Sequence, residues 1–295
     1  MYSYATLAQI KVELASGTSD TTKDSVLIQM GRWITGRIER ELQYRFVPSL
    51  ETRYFDSAGY NGVLNLFTPV MSITTLTDGN NTALTAWDGT FSQRTSATYT
   101  APNYPNTPIW AIQRLYNGNP YEWTYSTYWQ QSVSLAGLYG YRTRYTTDAW
   151  VDSGDTLQAN ITTTTATTFT VADADGTNTL AYSPRFSEGQ VIRLDSEYMT
   201  VLSISTNTLT VQRGVLGTTA STHTAGITVY AFTPEPDIVR ATVRWASYLY
   251  KRQGVYQRAT FDSLNGQTIE FPQDKPEEIM GILSLFPRTI VGLGI

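Results

Sequence analysis

Helical periodicity in this chain is confined to its two ends. Leu27, Met30, Ile34 and Ile38 recur at three- and four-residue steps, which predicts a helix near Asp24–Leu42. A second helix is predicted at about Asp237–Gln253, after the Pro234-Glu235-Pro236-Asp237 signal, and a short third after Lys275-Pro276-Glu277-Glu278. Between the ends runs a long stretch rich in Thr, Ser, Gly, Tyr and Trp. This order predicts an α+β chain, with a helical core drawn from both ends and strands between. It reads as an assembly part, not an enzyme.

The first long helix has an N-cap cluster in Asp20-Thr21-Thr22 and a stop at Arg45-Phe46-Val47-Pro48, because the residue before proline avoids the α region. Gly31 and Gly36 inside it each cost about 1 kcal/mol relative to alanine. Their presence predicts a closely packed neighbour. The C-terminal helix carries Ile238, Ala241, Trp245 and Leu249 on one face and Val239, Val243, Ala246 and Tyr250 on another. A helix apolar on two sides packs between elements. Beyond Gly254 the sequence reads as an extended arm, with Ile279, Ile282 and Leu283 marking a short amphipathic helix that Pro287 ends.

In the middle, Thr52–Asp56 and Val63–Phe67 flank a glycine-containing loop of hairpin length. Val70–Thr77, Ile109–Tyr116 and Ser132–Leu138 read as further strands. From Asp152 the texture changes to short strands at Thr168–Ala172, Val191–Leu194, Met199–Ile204, Leu209–Arg213 and Ile227–Phe232. That spacing predicts a small all-β barrel or sandwich. The chain therefore divides into residues 1–150, a core of N-terminal helices and strands; residues 151–232, an inserted β module; and residues 233–295, a helix and arm that complete the core.

Charge follows the same division. Residues 151–232 hold seven acids against Arg185, Arg193 and Arg213, so the module carries the whole net charge of −4 and the rest balances to zero. No basic field of the kind that binds nucleic acid is present. There are no cysteines, which excludes disulfides and thiolate metal sites. The N-terminus lacks the basic start and apolar stretch of a secretory signal, and no run approaches a membrane span. The expectation is a soluble protein made without export. Twenty tyrosines and seven tryptophans suit partly wet interfaces as well as strands.

Chemistry finds little footing. His223, the single histidine, lies in a small-residue loop and reads as a surface residue. Asp173-Ala174-Asp175-Gly176 opens like a calcium loop, but Thr177 and Pro184 stand where further ligands belong, so a turn is expected. Gly137-Leu138-Tyr139-Gly140-Tyr141 has no phosphate-binding lysine and reads as a bulged strand. Glu277-Glu278 fits helix N-terminal charge complementarity. Trp110, Trp123 and Trp129 could build a carbohydrate site. No catalytic, cofactor or metal residue is assigned. Arg240, Arg244, Lys251, Arg252 and Arg258 form a basic set on and just beyond the C-terminal helix, either a contact surface or solvated charge.

Taken in order, several stretches resemble the head–tail connector, or adaptor, proteins of tailed bacteriophages. They are Tyr4-Ala5-Thr6-Leu7, the helix ending in Arg45-Phe46-Val47-Pro48, Thr52-Arg53-Tyr54-Phe55-Asp56 and Pro69-Val70-Met71-Ser72-Ile73-Thr74-Thr75-Leu76. Gly137–Tyr141, the Pro236-Asp237-Ile238 helix to Tyr250-Lys251-Arg252, and Pro276-Glu277-Glu278-Ile279 to Pro287-Arg288 continue the likeness. Residues 152–232 depart from it; they look similar to small β modules of other phage structural proteins.

The resemblance implies a non-enzymatic virion protein at the neck, assembled in the host cytoplasm as a ring of about twelve copies. Its partners would be itself, the portal, and a tail, stopper or nozzle protein, with double-stranded DNA passing through unbound. A cofactor and a membrane play no part. The expected subunit and portal interface is Arg32, Arg37, Arg40, Arg240, Arg244, Trp245, Tyr248, Arg252, Ile279, Ile282 and Phe286, with the arm after Gly254 reaching a neighbour. A tail fibre or carbohydrate-binding module is the alternative. A carboxylate enzyme is a third class, but no pair of acids selects it.

Overall fold

A computed structural model describes residues 2–15, 21–57, 62–80, 83–84, 91–94, 108–116, 119–125, 127–252 and 275–286. Its elements run α1 (Leu7–Glu13), α2 (Asp24–Leu42), β1 (Ser49–Phe55), β2 (Val63–Thr77), β3 (Ala83–Leu84), β4 (Phe91–Arg94), β5 (Ile109–Tyr116), β6 (Asn119–Pro120) and β7 (Val133–Tyr139). They continue with α3 (Tyr145–Asp148), β8 (Trp150–Thr156), β9 (Thr168–Thr170), β10 (Val191–Leu194), β11 (Glu197–Ser205), β12 (Thr208–Gln212), β13 (Thr228–Phe232), α4 (Pro236–Arg252) and α5 (Glu277–Ser284).

Two antiparallel sheets are the framework. The first is ordered β1-β7-β2-β5-β4, with β3 on β2 and β6 on β5; the second is ordered β8-β13-β10-β11-β12-β9. This overturns the expected helical core. Among the described residues strand outweighs helix, and the five helices pack mainly on one another at the edge of the second sheet's core. The reason lies in what each signal measures. A helical stripe is local and conspicuous, whereas a strand shows its weight only once paired with a distant partner.

The expected hairpin fails for the same reason. Thr52–Asp56 does not pair with Val63–Phe67; β1 lies against β7, Thr52 opposite Ala136 and Phe55 opposite Val133. The two runs at Val63–Phe67 and Val70–Thr77 are one strand, bent where Phe67 takes a φ of 58°. Its first half pairs with β5 and its second with β7. Gly137 of β7 sits where a Cβ would stand 2.3 Å from the Ser72 carbonyl, so this crossing of strands requires glycine.

Three cores fill the molecule. Leu66, Val70, Ile112, Trp123 and Leu135 pack inside the first sheet, and Leu157, Phe186, Leu194, Met199 and Leu209 inside the second. The largest joins Ile34, Ile38, Trp245, Ile279 and Leu283 of the helices to Val191, Tyr198 and Phe232 of the second sheet. Helix α4 touches α1, α2 and α5, as its two apolar faces foretell. The neighbour that Gly31 and Gly36 predict is, for Gly31, the N-terminal segment. A Cβ on Gly31 would stand 2.7 Å from Ser3 Oγ, and the Tyr4 amide donates to Thr35 Oγ1 at 3.0 Å. The cap differs from expectation: Lys23 precedes the helix and no side chain caps it, while Asp20 lies outside the described residues.

Candidate interaction surfaces

The expected interface residues divide sharply by environment. On α2, Arg37 is sandwiched, its guanidinium 4.8 Å from the ring centroid of Trp33 and 4.8 Å from that of Trp245. Trp245 is fully buried, but Trp33 is 46 % exposed, so the stack presents a rigid aromatic face to solvent. Arg40 is exposed beside it, its Nε donating to the Gly36 carbonyl at 3.1 Å. Arg32 is half-buried, and its Nε is shut from water without a hydrogen-bond acceptor.

On α4 the arginines are engaged within the chain. Arg240 pairs with Glu278 of α5 at 2.8 Å, Arg244 with Glu13 of α1 at 3.1 Å, and Arg252, itself buried, donates to the Tyr248 hydroxyl at 3.0 Å. On α5, Ile279 is fully buried, Ile282 is half-buried, and Phe286 packs its ring 5.1 Å from that of Phe46 and 5.4 Å from Tyr141. Ile279 and Phe286 thus serve the chain's own core. The segment that was to reach a neighbour is, over residues 275–286, fastened at home, with Lys275 bound to Glu41 at 2.6 Å. The rest of the arm, residues 254–274 and 287–295, and Arg258 with it, lie outside the described residues.

The histidine reading is corrected outright. His223 is 4 % exposed, with Nδ1 2.9 Å from Asp195 Oδ2 and Nε2 2.9 Å from Glu197 Oε2. Ser221 Oγ lies 3.3 Å from the same Nε2. A serine, a histidine and an aspartate thus meet, but a Ser–His–Asp nucleophile needs that nitrogen to face the hydroxyl in an open site. Here Glu197 occupies it and no water reaches the ring. Glu197 also accepts from Arg213 Nε at 2.8 Å and from the backbone N–H groups of Gly214 and Ser221, each at 3.0 Å. Burial alone would raise its pKa; the Arg213 guanidinium, the Ser221 amide and His223 outweigh that and hold it at about 2. The cluster shapes the loop between Arg213 and His223. No local sequence signal marks it, because Asp195 and Glu197 lie 28 and 26 residues before His223.

A similar node sits on the other side of the module. Asp155 accepts from the amides of Thr156, Ala172 and Asp173 and from Arg185, and these donors hold its carboxyl below the usual range despite burial. Asp173-Ala174-Asp175-Gly176 forms the expected turn, closed by the Gly176 amide on Asp173 Oδ1 at 3.1 Å. Among the described residues no group of three or more His, Asp or Glu could hold a metal ion, and no helix is long and apolar enough to cross a membrane.

Of the three tryptophans suited to a carbohydrate site, Trp123 is buried with its indole N–H on the Gly62 carbonyl, and Trp110 packs its ring edge-on to Tyr44. Only Trp129 is exposed. One end of the first sheet nonetheless gathers exposed aromatic side chains around Trp129, which the sequence had named: Tyr54, Tyr116, Tyr121, Tyr125 and Tyr128. Their loops are joined there, since the Ser57 amide donates to the Trp129 carbonyl and Gly79 bridges Tyr125. Arg114 stiffens the end, stacked 5.0 Å over Tyr121 and salt-bridged to buried Asp78 at 3.0 Å. The density of tyrosine between residues 116 and 129 was the visible signal.

A cleft of about 520 Å³ runs between α1, α4 and the loop at Asn178–Arg185, with Val12, Tyr182, Val239 and Val243 along it. No family model matches the chain, and neither a curated protein nor a solved structure matches it.

Proposed function

We propose that this protein is a structural virion component that forms a ring at the head–tail junction of a tailed phage, docks on the portal, extends the DNA channel and gives the tail its platform. The observation that carries the reading is the Trp33–Arg37–Trp245 stack. Tryptophan and arginine dominate binding hot spots, and an exposed tryptophan clamped by arginine presents its ring without loss of side-chain freedom on binding. A closed ring needs two different faces of each subunit to meet. The α2 face supplies one, and the α1–α4 cleft, with exposed Val12 and Tyr182 on its walls, offers a chemically different one.

Passing DNA should not be gripped. Arg240 and Arg244 are neutralised by Glu278 and Glu13, which supports a channel wall that leaves phosphates in water. Incubating the purified chain with portal rings and imaging the product by electron microscopy tests the reading. Density added as a ring below the portal is expected, and Trp33→Ala should remove it. Location elsewhere in the virion, or turnover of a substrate, would end the proposal.

The aromatic end of the first sheet favours a second reading, a carbohydrate-binding fibre module. Glycan-array binding lost in Tyr121→Ala, together with no portal association, would select it.

A further inference from the structure

The edges of a β-sheet are where its backbone can pair with another chain, and folds usually blunt them. The second sheet does so at both ends. Strand β9 is three residues long, and Thr179 covers β8 by donating its amide and hydroxyl to the Asp152 carbonyl at 3.3 and 2.8 Å. Strand β1 of the first sheet is different. It ends the sheet, spans seven residues without lysine or proline, and exposes the side chains of Leu50, Thr52 and Tyr54. Its one described cover is at Leu50, whose N–H donates to the Leu216 carbonyl at 2.8 Å. Because Leu50 points its N–H away from β7, alternation turns those of Thr52 and Tyr54 the same way.

We propose that β1 is a self-pairing seam, joined antiparallel to β1 of a second copy about a two-fold axis at Thr52. The sequence Leu50-Glu51-Thr52-Arg53-Tyr54 is self-complementary in that register. Thr52 meets Thr52 of the second copy, Leu50 meets its Tyr54, and Glu51 meets its Arg53, with each pairing repeated by symmetry. Alternation places the apolar pairs on one face and the opposite charges on the other. Within the chain Glu51 already lies 2.7 Å from Arg53 and 3.8 Å from Arg45, so the seam sets two Glu51–Arg53 pairs side by side with an Arg45 behind each. A register slip of two residues, which moves the two-fold axis from Thr52 to Arg53, would set Arg53 against itself, and this guards the pairing.

The Leu216–Gly217 loop acts as a strap on this seam. It holds the outer rung at Leu50, with Gly217 so close that a Cβ would stand 1.8 Å from the Leu50 carbonyl. The Thr52 rungs are clear of it. Pairing therefore starts at Thr52 and extends to Leu50 and Tyr54 as the strap withdraws. This seam is separate from the α2 face and the cleft, and it holds whether or not the chain is a neck protein.

The full chain has no cysteine, so a single one reports the contact. Paired residues on adjacent antiparallel strands have Cα atoms about 5.5 Å apart, within disulfide reach. Under mild oxidation Thr52→Cys should form a covalent dimer about tenfold faster than Leu180→Cys, whose site is 56 % exposed but lies in the loop beside the second sheet. Adding Glu51→Arg should slow the dimer about tenfold, and adding Glu51→Arg with Arg53→Glu should restore the rate, because the swapped pair is again complementary. Gly217→Val, which dislodges the strap, should speed it. Circular dichroism checks that each variant is folded. Equal rates for Thr52→Cys and Leu180→Cys, or no response to charge reversal, would overturn the seam; a Gly217→Val rate no higher than its parent's would overturn the strap.

Discussion

Gly217 and Leu50 lock the two sheets together. The glycine adopts a φ of +80° directly against the Leu50 carbonyl, while Leu50 gives its N–H to the residue before the glycine. A side chain at 217 faces both a positive φ and a backbone clash. Gly217→Ala should therefore cost about 1–3 kcal/mol, the range for a strained backbone site. Urea unfolding of the variant measures it, and an unchanged midpoint would show that the sheets are held by the shared core alone.

Glu197 is the anchor of that loop. Removing one partner of a buried ion pair strands the other, so Glu197→Ala should destabilise by about 3–5 kcal/mol through Arg213 and His223. The pH dependence has a definite sign. The folded carboxyl, at about 2, lies below its ordinary value of 4.5, so its stabilisation is complete above 4.5 and is lost as pH falls through 2. Thermal melts between pH 6 and 2 should show a steep acid loss in the native protein and a shallower one in Glu197→Gln. Parallel slopes would remove Glu197 from the account.

What the sequence disclosed and what it concealed follow from range. The Ile34–Ile38 stripe and the two apolar faces of α4 depend on residues one turn apart, so they read directly. Strand β10 reads correctly at Val191–Leu194 because turns punctuate both its ends. Strand β8 goes unread, since Trp150-Val151-Asp152-Ser153-Gly154-Asp155-Thr156 carries acids and a glycine; Asp155 turns to the Ala172 and Asp173 amides and to Arg185, which only the fold supplies. The same holds for His223. A lone histidine looks idle in sequence, and two carboxylates from β10–β11 that arrive across the sheet make it structural. Arg37 was named among the expected contact residues; Trp33 lies one turn before it on α2 and could be paired with it by spacing, but Trp245 sits on α4 and could not.

The helix layer separates stability from assembly. Trp245 of α4 is fully buried in the core that the helices share, so Trp245→Ala should cost about 3–5 kcal/mol as a large-to-small core change. Trp33 lies on the other side of the same Arg37 and is half in water. Trp33→Ala should change folding stability by no more than about 1 kcal/mol, consistent with an exposed cation–π contact. Under the neck reading it should abolish ring formation on the portal. Chemical denaturation and electron microscopy of the pair of variants distinguish the two roles.

The C-terminal helix offers the sharpest check on how the chain ends are used. An arm that served only neighbouring subunits could be cut away without harm to the monomer. Yet Ile279 and Leu283 are fully buried, Phe286 packs edge-on against Phe46 and Tyr141, and Lys275 and Glu278 tie α5 to α2 and α4. Burying a large apolar side chain stabilises by about 1.5–3 kcal/mol, so losing three of them takes much of a typical domain's margin. Truncation after Gly254 should therefore yield a chain that melts early or fails to fold. A stable monomer from the shorter chain would mean that α5 adds nothing to the core it appears in, and that its contacts belong to assembly.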